Sequence, residues 1–296
     1  MAKTLPFTGS GVAIVTPFDG LKTNYETLGD LIEYHIENKT DAIIICGTTG
    51  EASTMPDEEH LAAIKYTVDK TAGRIPVIAG TGSNDTGHAV QLSKKAEELG
   101  ADGILSVTPY YNKATQKGLV QHFTAIANAV TIPVILYNVP SRTGTAMSIA
   151  TLKELAKVDN IVAVKEASGN ISFASKVAAE VPELYIYSGN DDMILPLLSI
   201  GAKGVISVVA NICPKETHDI CQYFFDGEVE KSRELQLNML DLIDALFIEV
   251  NPIPVKTAMR LMGWNVGNLR LPLCDMDEGN LEILKKSLAD FGVKGE

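Results

Sequence analysis

Eight short apolar runs, each closing in small or polar residues, constrain this 296-residue chain more than any other feature of it. They read Gly11–Thr16 (GVAIVT), Asp41–Cys46 (DAIIIC), Ile75–Ala79 (IPVIA) and Asp102–Val107 (DGILSV). Ile132–Tyr137 (IPVILY), Ile161–Lys165 (IVAVK), Leu184–Tyr187 (LYIY) and Gly204–Val208 (GVISV) follow. Each is short and β-branched, which suits a strand buried on both faces. Helical spacing fills the intervals: Thr86–Leu99 carries Ala89, Leu92, Ala96 and Leu99 on one face, and Leu119–Ala129 carries Phe123, Ile126 and Ala127. Asp57, Thr86 and Ser148 are predicted N-caps, with Gly100 and Gly201 as stops. Strands alternating with helices are βαβ units, and eight of them predict an α/β fold closed as a (β/α)8 TIM barrel. An open doubly wound sheet is the main rival. It would carry a glycine-rich phosphate fingerprint after the first strand, and GVAIVTPFDG has none.

After the eighth run the strand pattern stops. Pro214–Asp226, Val229–Glu249, Pro254–Met262 and Asn280–Phe291 all have helical spacing. The expected organisation is a barrel over 1–225 and a helical C-terminal domain over 226–296, packed on the barrel because no linker composition separates them. Hydrophobic residues make up 46% of the chain, enough to fill a large core. The net charge of −12 argues against nucleic acid and anionic membrane as partners, since both need clustered Lys and Arg. The N-terminal MAKTLPFTGS has no apolar signal core, no run approaches a membrane span, and the four cysteines have no CxxC spacing. A cytoplasmic location with free thiols is expected. His35, His60, His88, His122 and His218 fall in helical segments without HxH or HExxH spacing, so no metal site is expected.

In barrels of this kind the active site lies at the C-terminal ends of the strands. Here those ends carry Gly47-Thr48-Thr49-Gly50-Glu51, Thr108-Pro109-Tyr110-Tyr111-Asn112, Tyr137 through Gly144, Lys165-Glu166 and Ser188-Gly189-Asn190-Asp191. Alternation predicts Ile161, Ala163 and Lys165 on one strand face, with Val162 and Val164 on the other. An inward Lys165 above small Ala163 would be desolvated, which favours the neutral, nucleophilic amine. The alternative is a lysine that snorkels to solvent or pairs with Glu166. Tyr111, Tyr137 and Thr48 could pass protons through their hydroxyls, although a lone tyrosine more often fills a core. Arg142 in Pro-Ser-Arg-Thr-Gly suits a bidentate carboxylate clamp, or is an ordinary surface arginine. Asp191-Asp192 is read as a helix start.

GTTGE (Gly47–Glu51), PYYNK (Pro109–Lys113), YNVPSRTG (Tyr137–Gly144), VAVKEASG (Val162–Gly169) and NPIPVK (Asn251–Lys256) occur in an order and spacing that resembles one family. It is the 4-hydroxy-tetrahydrodipicolinate (dihydrodipicolinate) synthase family, within the pyruvate-dependent class I aldolases that include N-acetylneuraminate lyase. The resemblance spans essentially the whole chain. It implies that Lys165 forms an imine with pyruvate, with no cofactor beyond that covalent adduct, and that the enamine attacks aspartate-4-semialdehyde. It implies a proton relay of Thr48, Tyr111 and Tyr137, with Tyr111 supplied to a neighbouring subunit in a dimer of dimers. Thr49 would contact the pyruvate carboxylate, Gly189 and Ile206 would offer backbone contacts, and Arg142 would receive the semialdehyde carboxylate.

Within that superfamily, Arg142 and the second threonine of GTTGE favour the synthase over a sialic acid or keto-sugar-acid lyase. A catalytically silent barrel is the third reading, although none of Lys165, Tyr137, Thr48 or Arg142 is missing. Lysine-inhibited members bind lysine beside the segment Ala52–His60, which includes Ser53, and the loop Asn84–His88. Ser53, His60, Asn84, His88 and Tyr110 are therefore the candidate allosteric residues. His88 stands where an acid is usual and Asp57 where a histidine is, so weak or absent inhibition is expected.

Overall fold

Eight parallel strands close a barrel in the computed structural model, which describes residues 3–293. The strands are β1 (Gly9–Ala13), β2 (Ala42–Ile45), β3 (Val77–Gly80), β4 (Gly103–Val107), β5 (Val134–Asn138), β6 (Ile161–Glu166), β7 (Tyr185–Ser188) and β8 (Gly204–Ser207). Sequential neighbours pair throughout, and β1 closes the ring against β8 with Gly9 opposite Gly204. A side chain at Gly204 would place its Cβ 1.8 Å from the Gly9 carbonyl oxygen, so the seam needs a glycine there.

Both strand faces are buried, as the continuous apolar runs require. Ala42, Ile44, Ile78, Leu105, Ile135, Ala163, Tyr187 and Ile206 fill the barrel interior. Their neighbours, among them Ile43, Ile45, Val77, Ile104, Leu136, Val164 and Val205, pack outward against the helical ring. One alternation differs from expectation. The β5–β6 register pairs Val134 with Ile161 but Ile135 with Ala163, so Val162 is an extra residue in a bulge. Ile161 therefore belongs to the outer cluster and Val162 to the inner one, while Ala163 and Lys165 keep the inward face.

Helices follow the strands, the first being Tyr25–Glu37 and the eighth Pro214–Phe225. Ser148 caps Ile149–Leu155 by accepting from Thr151 N, as its type predicts. Two other caps lie one residue earlier than expected. Asp85, not Thr86, accepts from Gly87 N and His88 N, and Pro56 precedes a helix in which Asp57 is the first residue. The first run also ends early as a strand, at Ala13, because Val15 N donates to the Asn211 side chain at 3.0 Å instead of to a neighbouring strand. A small hairpin, Phe18–Asp19 against Lys22–Thr23, follows it and was not expected.

Beyond residue 225 come Val229–Asn238, Leu240–Leu246, Ile253–Leu261 and Glu278–Phe291. The single helix expected over Val229–Glu249 is interrupted at buried Met239, which ends one helix and starts the next. The connection between the last two of these lies against the barrel's helical ring: Trp264 packs on Tyr34 of the first helix, and Arg270 meets Glu59 through two bonds of 2.7 Å. Among the described residues no helix is long and apolar enough to cross a membrane.

Candidate active site

A cavity of about 570 Å³ opens at the C-terminal mouth of the barrel. Lys165, Tyr137, Thr48, Thr49, Arg142 and Gly189 all line it, so side chains from three strand ends and the backbone of a fourth meet in one space. Lys165 and Tyr137 are register partners on adjacent strands and therefore share a face. The lysine is 6% exposed and its Nζ lies 4.4 Å from the centre of the Tyr137 ring. Among the described residues that Nζ has neither a hydrogen bond nor an ion pair. Glu166, the neighbour proposed as an alternative partner, points to the other face. Its carboxylate accepts from Asn138 Nδ2 and Ser168 N, both at 2.7 Å, and burial holds its pKa above the usual carboxylate range against those bonds.

The loops around Lys165 are set by short, sequence-encoded devices. Pro140 begins a single helical turn, Pro140–Thr143, and Gly144 closes it with φ +67°, its N–H donating to Pro140 O at 2.9 Å. That turn carries Arg142, whose Nη2 donates to the Asn251 carbonyl at 3.2 Å. Gly189 sits where a Cβ would approach the Ala167 Cβ to 2.5 Å, so close packing of β7 on β6 excludes any side chain there. Asp191, buried at the end of β7, accepts from Val208 N and Val209 N at 3.0 and 2.9 Å and so ties β7 to β8. Burial raises its pKa, opposed by those bonds and by the charge of Lys165.

Other predicted residues are placed differently. Tyr111 is 91% exposed, sits at φ +73°, and is not on the cavity wall. Thr48 and Tyr137 share the cavity, but no hydrogen bond joins them among the described residues. Ile206 is buried in the barrel interior. Ser53, His60, His88 and Tyr110 line the same cavity as Lys165, whereas Asn84 lines a separate one of about 320 Å³ beside Asn112 and His122. His88 Nε2 lies 2.9 Å from Asp57, and His60 Nε2 donates to Gly80 O at 2.8 Å. Burial lowers the pKa of His60 despite that bond. Among the described residues no three His, Cys, Asp or Glu side chains are grouped to hold a metal ion.

The DHDPS model, described as the dihydrodipicolinate synthetase family, matches residues 6–290. The chain belongs to the dihydrodipicolinate synthetase family. It is 64% identical over 288 residues to a 4-hydroxy-tetrahydrodipicolinate synthase of Caldicellulosiruptor bescii, covering 97% of this chain and 98% of that one. Among solved structures, the chloride-inhibited dihydrodipicolinate synthase of Acinetobacter baumannii, complexed with pyruvate, has a TM-score of 0.94 and 44% identity, covering 97% of this chain and 99% of that one. The DHDPS of Cyanidioschyzon merolae with lysine bound has a TM-score of 0.95 and 40% identity, covering 98% and 100%. The expected family and barrel fold are thus both borne out.

Residues to which the sequence reading gave no role also shape the site. Glu51, in GTTGE, is fully buried and accepts from Lys256 Nζ at 2.9 Å and from Arg270 N at 2.9 Å. Lys256 belongs to NPIPVK, and a lone lysine among Ile253, Pro254, Val255, Ala258 and Met259 is the signal that could have found it. Asn251, from the same motif, lines the cavity itself.

Proposed function

We propose that the chain condenses pyruvate with L-aspartate-4-semialdehyde to give 4-hydroxy-tetrahydrodipicolinate, the first committed step of lysine and diaminopimelate biosynthesis. The observation that carries this reading is a buried Lys165 without a hydrogen-bonded or ionic partner among the described residues, in one cavity with Tyr137, Thr48, Thr49 and Arg142. The Lys165 amine adds through Nζ to the pyruvate ketone carbon. The carbinolamine then loses water to leave the imine, and loss of a methyl proton gives the enamine. The enamine carbon forms the new C–C bond with the aldehyde carbon, whose oxygen takes up a proton. The amine of the second substrate then attacks the imine carbon, and cyclisation expels Lys165 as the free amine.

Thr48, Tyr137 and Tyr111 are the proposed proton carriers for these steps. The outward Tyr111 supports a reading in which it serves the site of a second copy, within a dimer of dimers. Thr49 is assigned to the pyruvate carboxylate, with backbone contacts from Gly189 and Ile206, and Arg142 to the carboxylate of the semialdehyde. The reaction needs no cofactor beyond the covalent pyruvate. We propose a cytoplasmic location, and a boundary near residue 225 between the barrel and the later helices.

Assays of pyruvate consumption with aspartate semialdehyde, run beside N-acetylneuraminate cleavage, test the assignment. Turnover of the first pair alone is expected, and cleavage of the sugar acid alone would overturn it. Lysine is expected to inhibit weakly or not at all, because His88 is engaged with Asp57 where an acid would meet the lysine ammonium. Strong inhibition at or below millimolar lysine would contradict that.

A further inference from the structure

Asn251 lies at the edge of the cavity, 5% exposed, just before the helix Ile253–Leu261. Its side-chain Nδ2 donates to Thr49 Oγ1 at 3.0 Å. Its backbone carbonyl accepts from Arg142 Nη2 at 3.2 Å. One residue of the C-terminal segment thus touches both groups assigned above to substrate carboxylates, through two different parts of itself.

The consequence for Thr49 follows from hydrogen-bond inventory. A threonine hydroxyl has one O–H to donate and lone pairs to accept with. Thr49 is 2% exposed, and its Oγ1 takes part in no other hydrogen bond among the described residues. With an amide N–H occupying a lone pair, the hydroxyl hydrogen is left to point elsewhere, and the open direction is the cavity. The Asn251 amide thereby holds Thr49 as a donor, the polarity a carboxylate requires. For Arg142, the same residue engages one guanidinium nitrogen and leaves the rest of the fork for a ligand.

We propose that Asn251 is a positioning residue that presets Thr49 as the donor for the pyruvate carboxylate, while its carbonyl separately orients Arg142. This rests on the pyruvate reading of Lys165. The Asn251 side chain should govern the first substrate and leave the second alone. A residue that merely packs the loop would disturb both.

The test is borohydride trapping of the imine across graded pyruvate, together with steady-state KM values for both substrates. Asn251→Asp keeps the shape but presents an acceptor to Thr49, turning its O–H away from the cavity. The half-saturating pyruvate concentration is expected to rise by roughly ten- to a hundredfold, the scale of a lost hydrogen bond to a charged group. The KM for the semialdehyde should stay within about twofold, because the carbonyl contact to Arg142 survives. Adding Thr49→Val to Asn251→Asp should cost little more, since both changes remove the same donor. Asn251→Ala, which adds no buried charge, should raise half-saturation a fewfold and keeps the test decisive if the aspartate variant does not fold. Unchanged pyruvate half-saturation in Asn251→Ala, or parallel increases for both substrates, would overturn the proposal. If the unsubstituted protein is never trapped, the pyruvate reading fails and this inference falls with it, an outcome distinct from trapping that is insensitive to Asn251.

Discussion

Lys165 and Lys256 are two nearly inaccessible lysines in opposite situations. Lys256 is 0% exposed, and its Nζ donates to Glu51 Oε1 at 2.9 Å, to Thr16 O at 3.1 Å and to Asn268 O at 3.0 Å. All three ammonium hydrogens have acceptors, so the charge is compensated; burial lowers its pKa and Glu51 pulls it back up. Lys165 has the face of Tyr137 and a cavity in front of it. The first lysine fastens the helix Ile253–Leu261 to the GTTGE turn, and the second is kept free to react. Burial alone does not separate the two; the number of satisfied donors does.

The comparison predicts opposite outcomes for similar substitutions. Lys165→Met should lower turnover at least roughly a thousandfold, because the covalent route is gone, while stability to denaturant changes by no more than about 1 kcal/mol. Lys256→Met should do the reverse. It leaves Glu51 charged and buried without its partner, at a cost of about 3–5 kcal/mol in urea unfolding. Adding Glu51→Gln should recover part of that loss, since Gln can still accept from Arg270 N. A Lys256→Met protein of unchanged stability would break the comparison.

A third buried base sharpens it with a smaller effect. His35 is fully buried, its Nδ1 lies 3.0 Å from Thr40 Oγ1, and burial lowers its pKa to about 3. Here the fold resolves the burial of a base by keeping it neutral. Between about pH 6.5 and 3 the unfolded chain protonates His35 and the folded chain does not, so the unfolded state binds more protons. Stability contributed by this group is complete above pH 6.5 and falls as the pH drops, by about 1.4 kcal/mol per pH unit inside that window. Stability measured against pH should lose that share of its slope in His35→Leu. An unchanged slope would show that His35 does not stay neutral in the folded chain.

Much of this was legible in the chain because strand burial and strand-end chemistry are local. Eight apolar runs named the barrel, and reading their C-terminal ends collected Lys165, Tyr137, Thr48, Thr49 and Arg142, which one cavity brings together. The bulge at Val162 escaped, because one extra residue in a wholly apolar strand leaves no trace in a hydrophobic pattern. The Asn251–Thr49 and Lys256–Glu51 contacts escaped for another reason: they join residues about two hundred positions apart, and nothing local at either end names the partner. Tyr111 was legible as a residue, yet its outward placement depends on a left-handed backbone in a polar loop.

The claim that an unpaired lysine is the reactive one is tested most directly by borohydride reduction with pyruvate, followed by peptide mass mapping. A reduced pyruvate adduct is predicted on the peptide carrying Lys165, with none on the peptide carrying Lys256. An adduct on Lys256, or none on Lys165, would contradict the account.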